Sequence, residues 1–178
     1  MFFERTAIAK KSDNVIEKEI SKLRETQILE PDLIIQDPYI FSYLSTDVLG
    51  DEKTLEDAIL NDIEEFLLSM GKGFTFQERQ KVIEIDGDFF RIDILMFHRK
   101  LRCMVAIELK KGKFKAADKG QIELYLRWLE KHEMQPGENP PIGIVLCSEK
   151  SDERVELLQL ERSGIRVSQF ITELPPKD

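Results

Sequence analysis

A nearly unbroken apolar run at residues 102–109 limits the possible folds more than any other feature of this sequence. A strand with apolar side chains on both faces has to be covered on both faces, as the central strand of an α/β sheet is. Upstream, Asp86-Gly87 joins two strand-like segments, residues 74–85 and 88–97, and this dipeptide is a strong β-hairpin signal. We therefore expect a sheet built around the apolar run.

Helices and strands follow one another in the order of an α/β domain. Apolar periodicity, with Thr54 as a helix cap and Gly71 as a helix end, predicts helices at residues 54–70, 115–133 and 152–161 and further strands at residues 142–147 and 165–170. The order helix, three strands, helix, strand is typical of an α/β domain with a central mixed sheet flanked by helices. This domain is predicted at residues 51–178.

The first 50 residues are expected to form an N-terminal helical arm. It would contain an amphipathic helix at residues 12–26 and a partly docked connector at residues 30–43, and it is a candidate for homodimer formation. Residues 1–11 lack the apolar stretch of a secretory signal, and no apolar run approaches the roughly 20 residues of a membrane span. A cytoplasmic protein without membrane contact is the expectation.

Cysteine and histidine are too scarce for a structural zinc site. The two cysteines, Cys103 and Cys147, lie within apolar strand-like segments and are expected to be buried free thiols. Only two histidines accompany them, whereas structural zinc needs four nitrogen or sulfur ligands. Any metal in this chain is therefore expected to be held by carboxylates.

Charged side chains interrupt the apolar run at its end, where Glu108 and Lys110 lie on one strand face. Asp93 is similarly placed between two isoleucines of the preceding strand, where an unpaired carboxylate would cost several kcal/mol. Phosphodiester hydrolysis needs carboxylates that hold a hard cation and a group that steadies the attacking water. A salt bridge from Asp93 to Arg91 or Lys110 is an equal alternative.

Two predicted helices each place a polar side chain on an apolar face. Glu56 would be a third carboxylate at the metal, or an edge residue reaching solvent. Gln121 would be a buried amide that meets an active-site group or a phosphate. The first face is expected to contain Leu55, Ala58, Ile59, Leu60, Ile63, Phe66 and Leu67. The second is expected to contain Ala117, Leu124, Tyr125, Trp128 and Leu129.

Positive charge is concentrated in one part of an acidic chain. The whole sequence carries a net charge of −8, which argues against a protein that coats nucleic acid indiscriminately, yet residues 99–119 contain eight basic and only two acidic residues. This segment could dock a polyanion, partly through the helix start that it contains, or it could be a solvated charged surface. The candidate DNA-binding residues in it are Arg99, Lys111, Lys113, Lys115 and Lys119.

Short motifs between residues 55 and 147 resemble the C-terminal nuclease part of the YhcG-like PD-(D/E)xK nuclease domain family. They are Gly71-Lys72-Gly73-Phe74, Ile92-Asp93-Ile94-Leu95, Ile107-Glu108-Leu109-Lys110, Gly120-Gln121 and Tyr125-Leu126. The resemblance implies a restriction-endonuclease-like fold and a role in DNA repair, recombination or defence. It implies that Asp93, Glu108 and Lys110 are the three core positions, Glu56 the helical glutamate, and Gln121 with Tyr125 a Gln-x-x-x-Tyr pair.

The function expected from these residues and this resemblance is hydrolysis of DNA phosphodiester bonds with Mg²⁺ or Mn²⁺. Asp93, Glu108 and the Leu109 carbonyl would bind the metal, Glu56 would complete its shell, and Lys110 would position the water. Two alternatives are a nucleic-acid-binding or assembly module that keeps the fold without cutting, and an interaction protein that dimerises through its arm. The resemblance also makes Tyr125 a candidate DNA contact.

Overall fold

The computed structural model of the protein describes Pro31, residues 34–44 and residues 52–172. Within these residues, six strands form one sheet: β1 Tyr39–Ile40, β2 Phe74–Ile85, β3 Asp88–His98, β4 Cys103–Lys110, β5 Ile142–Cys147 and β6 Ile165–Ile171. The helices are α1 Glu52–Leu60, α2 Ile63–Met70, α3 Ala116–His132 and α4 Asp152–Leu157, followed by a 3₁₀ turn at Leu160–Ser163.

The sheet is mixed, with the strand order β1-β6-β5-β4-β3-β2. Strands β2, β3 and β4 are antiparallel neighbours, whereas β4, β5, β6 and β1 run parallel. Helix α3 connects β4 to the parallel strand β5, as a crossover between parallel strands requires. The central mixed sheet flanked by helices confirms the predicted α/β fold.

Strand β4 has apolar residues on both sides because each face of the sheet has its own core. Val105, Ile107 and Leu109 belong to a cluster with residues of α1 and α2. Met104 and Ala106 belong to a second cluster with residues of α3. Fully burying a side chain of this kind contributes about 1.5–3 kcal/mol. The two-sided covering predicted from the apolar run is confirmed.

The β2–β3 hairpin forms at the predicted dipeptide. Asp86 and Gly87 have φ values of 53° and 84°, the left-handed conformation that a two-residue hairpin turn needs. The bounds of β2 and β5 are those predicted from the sequence. Beyond its pairing with β4, the hairpin continues as a two-stranded extension, since the ladder between β3 and β4 ends at the pair Ile94 and Ile107.

The helix predicted at residues 54–70 is two helices. Asp62 separates them, because its side chain accepts a hydrogen bond from the backbone N–H of Glu65 at 3.1 Å and caps α2. The break redirects the apolar face, so that Ile63 is 39% exposed instead of buried. Gly71 ends α2 with a φ of 103°, as predicted.

Helix α3 is rotated relative to the prediction. Its buried residues are Ile122, Tyr125, Leu126 and Leu129. Ala117 and Gln121 are exposed and Leu124 is 40% exposed, so the prediction of a buried Gln121 is wrong. The reason lies in β5, where a Cβ on Gly143 would come within 2.9 Å of the Ile122 side chain. The missing side chain lets α3 press its Ile122 side against the sheet.

The remaining predicted elements have mixed outcomes. The helix predicted at residues 152–161 ends at Leu157, and Gln159 adopts a left-handed φ of 49° before the 3₁₀ turn. Cys103 and Cys147 are buried free thiols, as predicted. In the connector predicted at residues 30–43, Tyr39–Ile40 pairs with β6 as an edge strand.

Two further predictions concern the ends and the surroundings of the chain. The arm helix at residues 12–26 lies outside the described residues, and the domain boundary near residue 50 stays a prediction. In the described part of the chain, no helix is both long and apolar enough to cross a membrane.

Candidate active site

Asp93 and Glu108 meet where β3 and β4 separate. Just beyond the last ladder pair, the backbone N–H of Asp93 donates to Glu108 Oε1 at 3.3 Å, and the backbone N–H of Leu109 donates to Asp93 Oδ2 at 2.9 Å. Each carboxylate thus satisfies a backbone donor of the neighbouring strand that the ladder no longer pairs. We call this place the fork. It holds both acids in fixed positions on adjacent strands.

The negative charges of the two acids of the fork repel each other. Glu108 is 8% exposed, and its pKa is raised well above its ordinary value, first by burial and then by the negative charge of Asp93. The positive charge of Lys110 lowers that pKa in part. A bound cation would favour the charged form of Glu108 beside Asp93.

The fork fits a hard divalent cation that keeps part of its water shell. Mg²⁺ is commonly bound through one or two carboxylates and several waters, and Asp93 and Glu108 supply two adjacent carboxylates. Leu109 follows Glu108 in β4, and its backbone carbonyl oxygen is a further candidate metal ligand. Across residues 31, 34–44 and 52–172, no group of three His, Cys, Asp or Glu side chains could hold a metal.

Glu56 is buried on α1 but is engaged by β2 instead of the fork. It is 4% exposed, and its two carboxylate oxygens accept hydrogen bonds from Arg79 Nε at 2.7 Å and Gln80 Nε2 at 2.5 Å. Arg79 also forms an ion pair with Asp57. Glu56 therefore does not reach solvent. Among the described residues, Glu56 does not form a group of three possible metal ligands with Asp93 and Glu108.

Gln80 connects Glu56 to the neighbourhood of the fork. The β2–β3 register pairs Arg79 with Ile94 and Lys81 with Ile92, which places Gln80 across from Asp93. Gln80 has a left-handed φ of 52°, a conformation that non-glycine residues rarely adopt. Sequence reasoning missed Gln80, since a glutamine gives no signal for a positive φ.

Lys110 lies at the end of β4, with its side chain 23% exposed. Its Nζ is 3.3 Å from Oδ1 of Asp118, an acid in the first turn of α3. The structure thus brings Lys110 to the same strand end as Glu108, as predicted from their alternation. Sequence reasoning missed Asp118, although its position three residues after Lys115 is typical of a capping acid.

Gln121 and Tyr125 form the predicted pair beside the acids. Gln121 Nε2 donates a hydrogen bond to the Tyr125 hydroxyl at 2.6 Å. Burial and the nearby negative charge of Glu108 raise the pKa of Tyr125 to about 12, so the hydroxyl keeps its proton at neutral pH. Tyr125 is only 1% exposed, so its ring is not open for stacking on DNA, whereas its hydroxyl is close enough to Glu108 to be affected by that charge.

The basic residues of segment 99–119 lie at opposite ends of the β3–β4 strand pair. Lys111, Lys113 and Lys115 are exposed in the connection from β4 to α3, next to Lys110. Lys119 is half-buried, with its Nζ 3.0 Å from the Leu158 carbonyl oxygen. Arg99 follows β3 in the turn to β4, six residues from Asp93, or roughly 20 Å along an extended strand. The structure does not bring Arg99 to the fork.

The chain is similar to known proteins over most of its length. Residues 32–178 match the model of a family described as the YhcG PDDEXK nuclease domain. YhcG of Escherichia coli (strain K12) is 40% identical over 149 residues, which cover 84% of this chain and 39% of that protein. The chain thus spans about two fifths of the length of this relative.

Two solved structures show a weaker likeness. A repair endonuclease from Pyrococcus abyssi is 20% identical with a TM-score of 0.46, over 74% of this chain and 50% of that one. EndoMS in its apo form is 21% identical with a TM-score of 0.46, over 72% and 48%. These TM-scores are too low to carry a conclusion about substrate or mechanism. On the match over residues 32–178 and the identity to YhcG, the chain belongs to the YhcG PDDEXK nuclease domain family.

Proposed function

We propose that this nuclease domain hydrolyses phosphodiester bonds in DNA with Mg²⁺ or Mn²⁺. The observation that supports this most is the fork, where Asp93 and Glu108 lie side by side with Lys110 at the same strand end. Burial of Glu108 beside the negative charge of Asp93 raises the pKa of Glu108 and is unfavourable for the fold alone, and a bound cation would offset that cost.

Each residue of the site has a separate role in this proposal. Asp93, Glu108 and the Leu109 carbonyl would hold the cation, which would supply positive charge to the scissile phosphate and lower the pKa of a water. Lys110 would orient the attacking water and stabilise the negative charge that develops on the phosphate oxygens. Glu56, held by Arg79 and Gln80, would act through water and not as a direct ligand.

DNA is the proposed substrate because of the charge beside the fork. Lys111, Lys113 and Lys115 are exposed on the connection that leads from β4 to the start of α3. Exposed lysines bind phosphates without reading bases, and the N–H groups of a helix start favour anions as well. This arrangement would place a DNA backbone across the end of β4.

The biological setting is proposed at a coarser level. A DNA nuclease of this kind would serve repair, recombination or defence, and the expected location is the cytoplasm. A homodimer formed through residues 1–50 stays a prediction. Light scattering on the full chain and on a chain that begins at residue 31 would separate a dimer that needs the arm from a monomer.

The experiment that tests the proposed activity is a cleavage screen. Wild type and Asp93→Asn are incubated with duplex, nicked and branched DNA and with single-stranded RNA, in Mg²⁺, Mn²⁺ or EDTA. We expect wild type to cut DNA only with metal, and Asp93→Asn to cut at least about 100-fold more slowly, a barrier change of roughly 2.7 kcal/mol. Asp152→Asn, which changes an exposed acid on α4, serves as the matched control.

Three outcomes would overturn parts of the proposal. DNA that is bound but never cut would favour the non-catalytic nucleic-acid-binding module. Preferential cutting of RNA would replace the substrate. Equal rates for wild type and Asp93→Asn would remove the fork as the active site.

A further inference from the structure

Asp118 joins the start of helix α3 to the side chain of Lys110. One carboxylate oxygen, Oδ2, accepts a hydrogen bond from the backbone N–H of Lys115 at 2.9 Å. The other, Oδ1, lies 3.3 Å from Lys110 Nζ. The side chain of Asp118 is 15% exposed, so both contacts form in a largely shielded position.

The helix start fixes the position of this carboxylate. Asp118 is the third residue of α3, and its bond to Lys115 closes one half of a capping box around the first turn. A short side chain that is hydrogen-bonded to the backbone of Lys115, three residues earlier, has little freedom left. The Asp118 carboxylate is therefore a rigid anchor, positioned by α3 and aimed at β4.

Lys110 needs such an anchor more than a shorter residue would. A lysine ammonium sits on a flexible four-carbon stem, and ordering a side chain of this type costs conformational entropy. An ammonium group that orients one water molecule near the fork has to occupy a narrow range of positions. The ion pair restricts Nζ before substrate arrives.

We propose that Asp118 is a positioning residue that holds the Lys110 ammonium at the strand end beside Glu108. The proposal rests on the proposed nuclease function for its consequence in the reaction. Asp118 contacts Lys115 and Lys110, and its proposed role involves no contact with the phosphate. It acts only through Lys110, and it couples the geometry of α3 to the site.

The first test observes Lys110 directly and needs no activity. Spectra of ¹⁵N-labelled lysine ammonium groups are recorded for wild type, and the Lys110 signal is identified by its absence in Lys110→Met. We expect Asp118→Asn to lose or shift this signal, because the amide still accepts from Lys115 N–H but no longer carries the charge that holds Nζ. Asp152→Asn, which removes a comparable ion pair to Lys150, should leave it in place.

The second test separates positioning from binding. In single turnover, Asp118→Asn should cut DNA at least about tenfold more slowly, while its DNA affinity stays within about twofold of wild type. Asp118→Ser keeps a short acceptor for the helix cap but cannot reach Lys110, and it should show the same loss. Thermal unfolding followed by the single tryptophan, Trp128, reports whether each variant is folded.

The outcomes separate this inference from the proposed function. An unchanged Lys110 signal in folded Asp118→Asn would overturn the inference whether or not the wild type cuts DNA. Wild-type cleavage by both Asp118 variants would overturn it as well. A wild type without cleavage, combined with a changed Lys110 signal, would refute the proposed activity and leave the positioning role in place.

Discussion

At the scale of single residues, the site depends on two acids that are costly to place together. Glu108 accepts a hydrogen bond from the Asp93 backbone and Asp93 accepts one from the Leu109 backbone, while burial of Glu108 disfavours its charge. Their positions in the strands were predictable, because charged residues break an otherwise apolar pattern. The side chains around them were not, since the positive φ of Gln80 has no signal in the sequence and the ion pair of Asp118 with Lys110 depends on how α3 packs against β4.

Glu108→Gln should stabilise the protein at neutral pH in the absence of divalent metal. The folded state binds the Glu108 proton more tightly than the unfolded chain does, so stability falls as pH rises from the ordinary glutamate pKa to the raised one. The amide still accepts from Asp93 N–H but has no charge to bury. A melting temperature higher by about 2 to 4 °C is expected, the shift that roughly 1 kcal/mol gives a chain of this size.

Changes of pH and of metal test this prediction. The higher melting temperature of Glu108→Gln should disappear below the ordinary glutamate pKa, where Glu108 is protonated in both the folded and the unfolded state. It should also shrink or reverse with Mn²⁺, which stabilises only the wild type. Glu84→Gln, a change at an exposed glutamate, should have no such effect. A Glu108→Gln protein that melts at a lower temperature than wild type in EDTA at neutral pH would show that the charge of Glu108 does not destabilise the fold.

At the scale of elements, local signals predicted the strands and packing decided the helices. The hairpin at Asp86-Gly87 and the apolar strand β4 follow from turn chemistry and alternation. The break at Asp62 was missed because the apolar pattern continues across the cap, and the rotation of α3 was missed because it depends on the space above Gly143 in the folded chain. The rotation also decides which α3 residues face the fork.

The segment between β4 and α3 should dominate the salt dependence of DNA binding. Replacing Lys111, Lys113 and Lys115 with Gln should reduce the slope of log affinity against log salt by up to about 2.7, or roughly 0.9 for each phosphate contact on duplex DNA. Fluorescence anisotropy over a salt series measures this slope. Arg99→Gln, at the far end of the strands, should leave the slope unchanged.

A different result would change the inferred position of the DNA on the protein. If Arg99→Gln flattens the slope as much as the triple variant does, the duplex lies along the whole β3–β4 pair. If neither variant changes it, the DNA-binding surface lies outside the basic segment altogether.

At the scale of the whole molecule, the sheet and the two helical layers each contribute a different part of the site. The strands β3 and β4 supply the acids and the lysine, α1 supplies Glu56, and α3 supplies Asp118 and the Gln121 and Tyr125 pair. The architecture and the three strand residues were predictable from pattern and resemblance. The hydrogen bonds of Glu56 to Arg79 and Gln80 and the place of Arg99 at the other end of β3 were not, because they depend on three-dimensional register.

Calorimetric titration with Mn²⁺ determines whether the fork is a divalent metal site. We predict that wild type binds Mn²⁺ and that Asp93→Asn and Glu108→Gln each weaken binding at least about tenfold, or roughly 1.4 kcal/mol. Glu56→Gln should weaken binding less, since Glu56 is held by Arg79 and Gln80. Wild-type affinity in both fork variants, with their folds intact, would contradict the account.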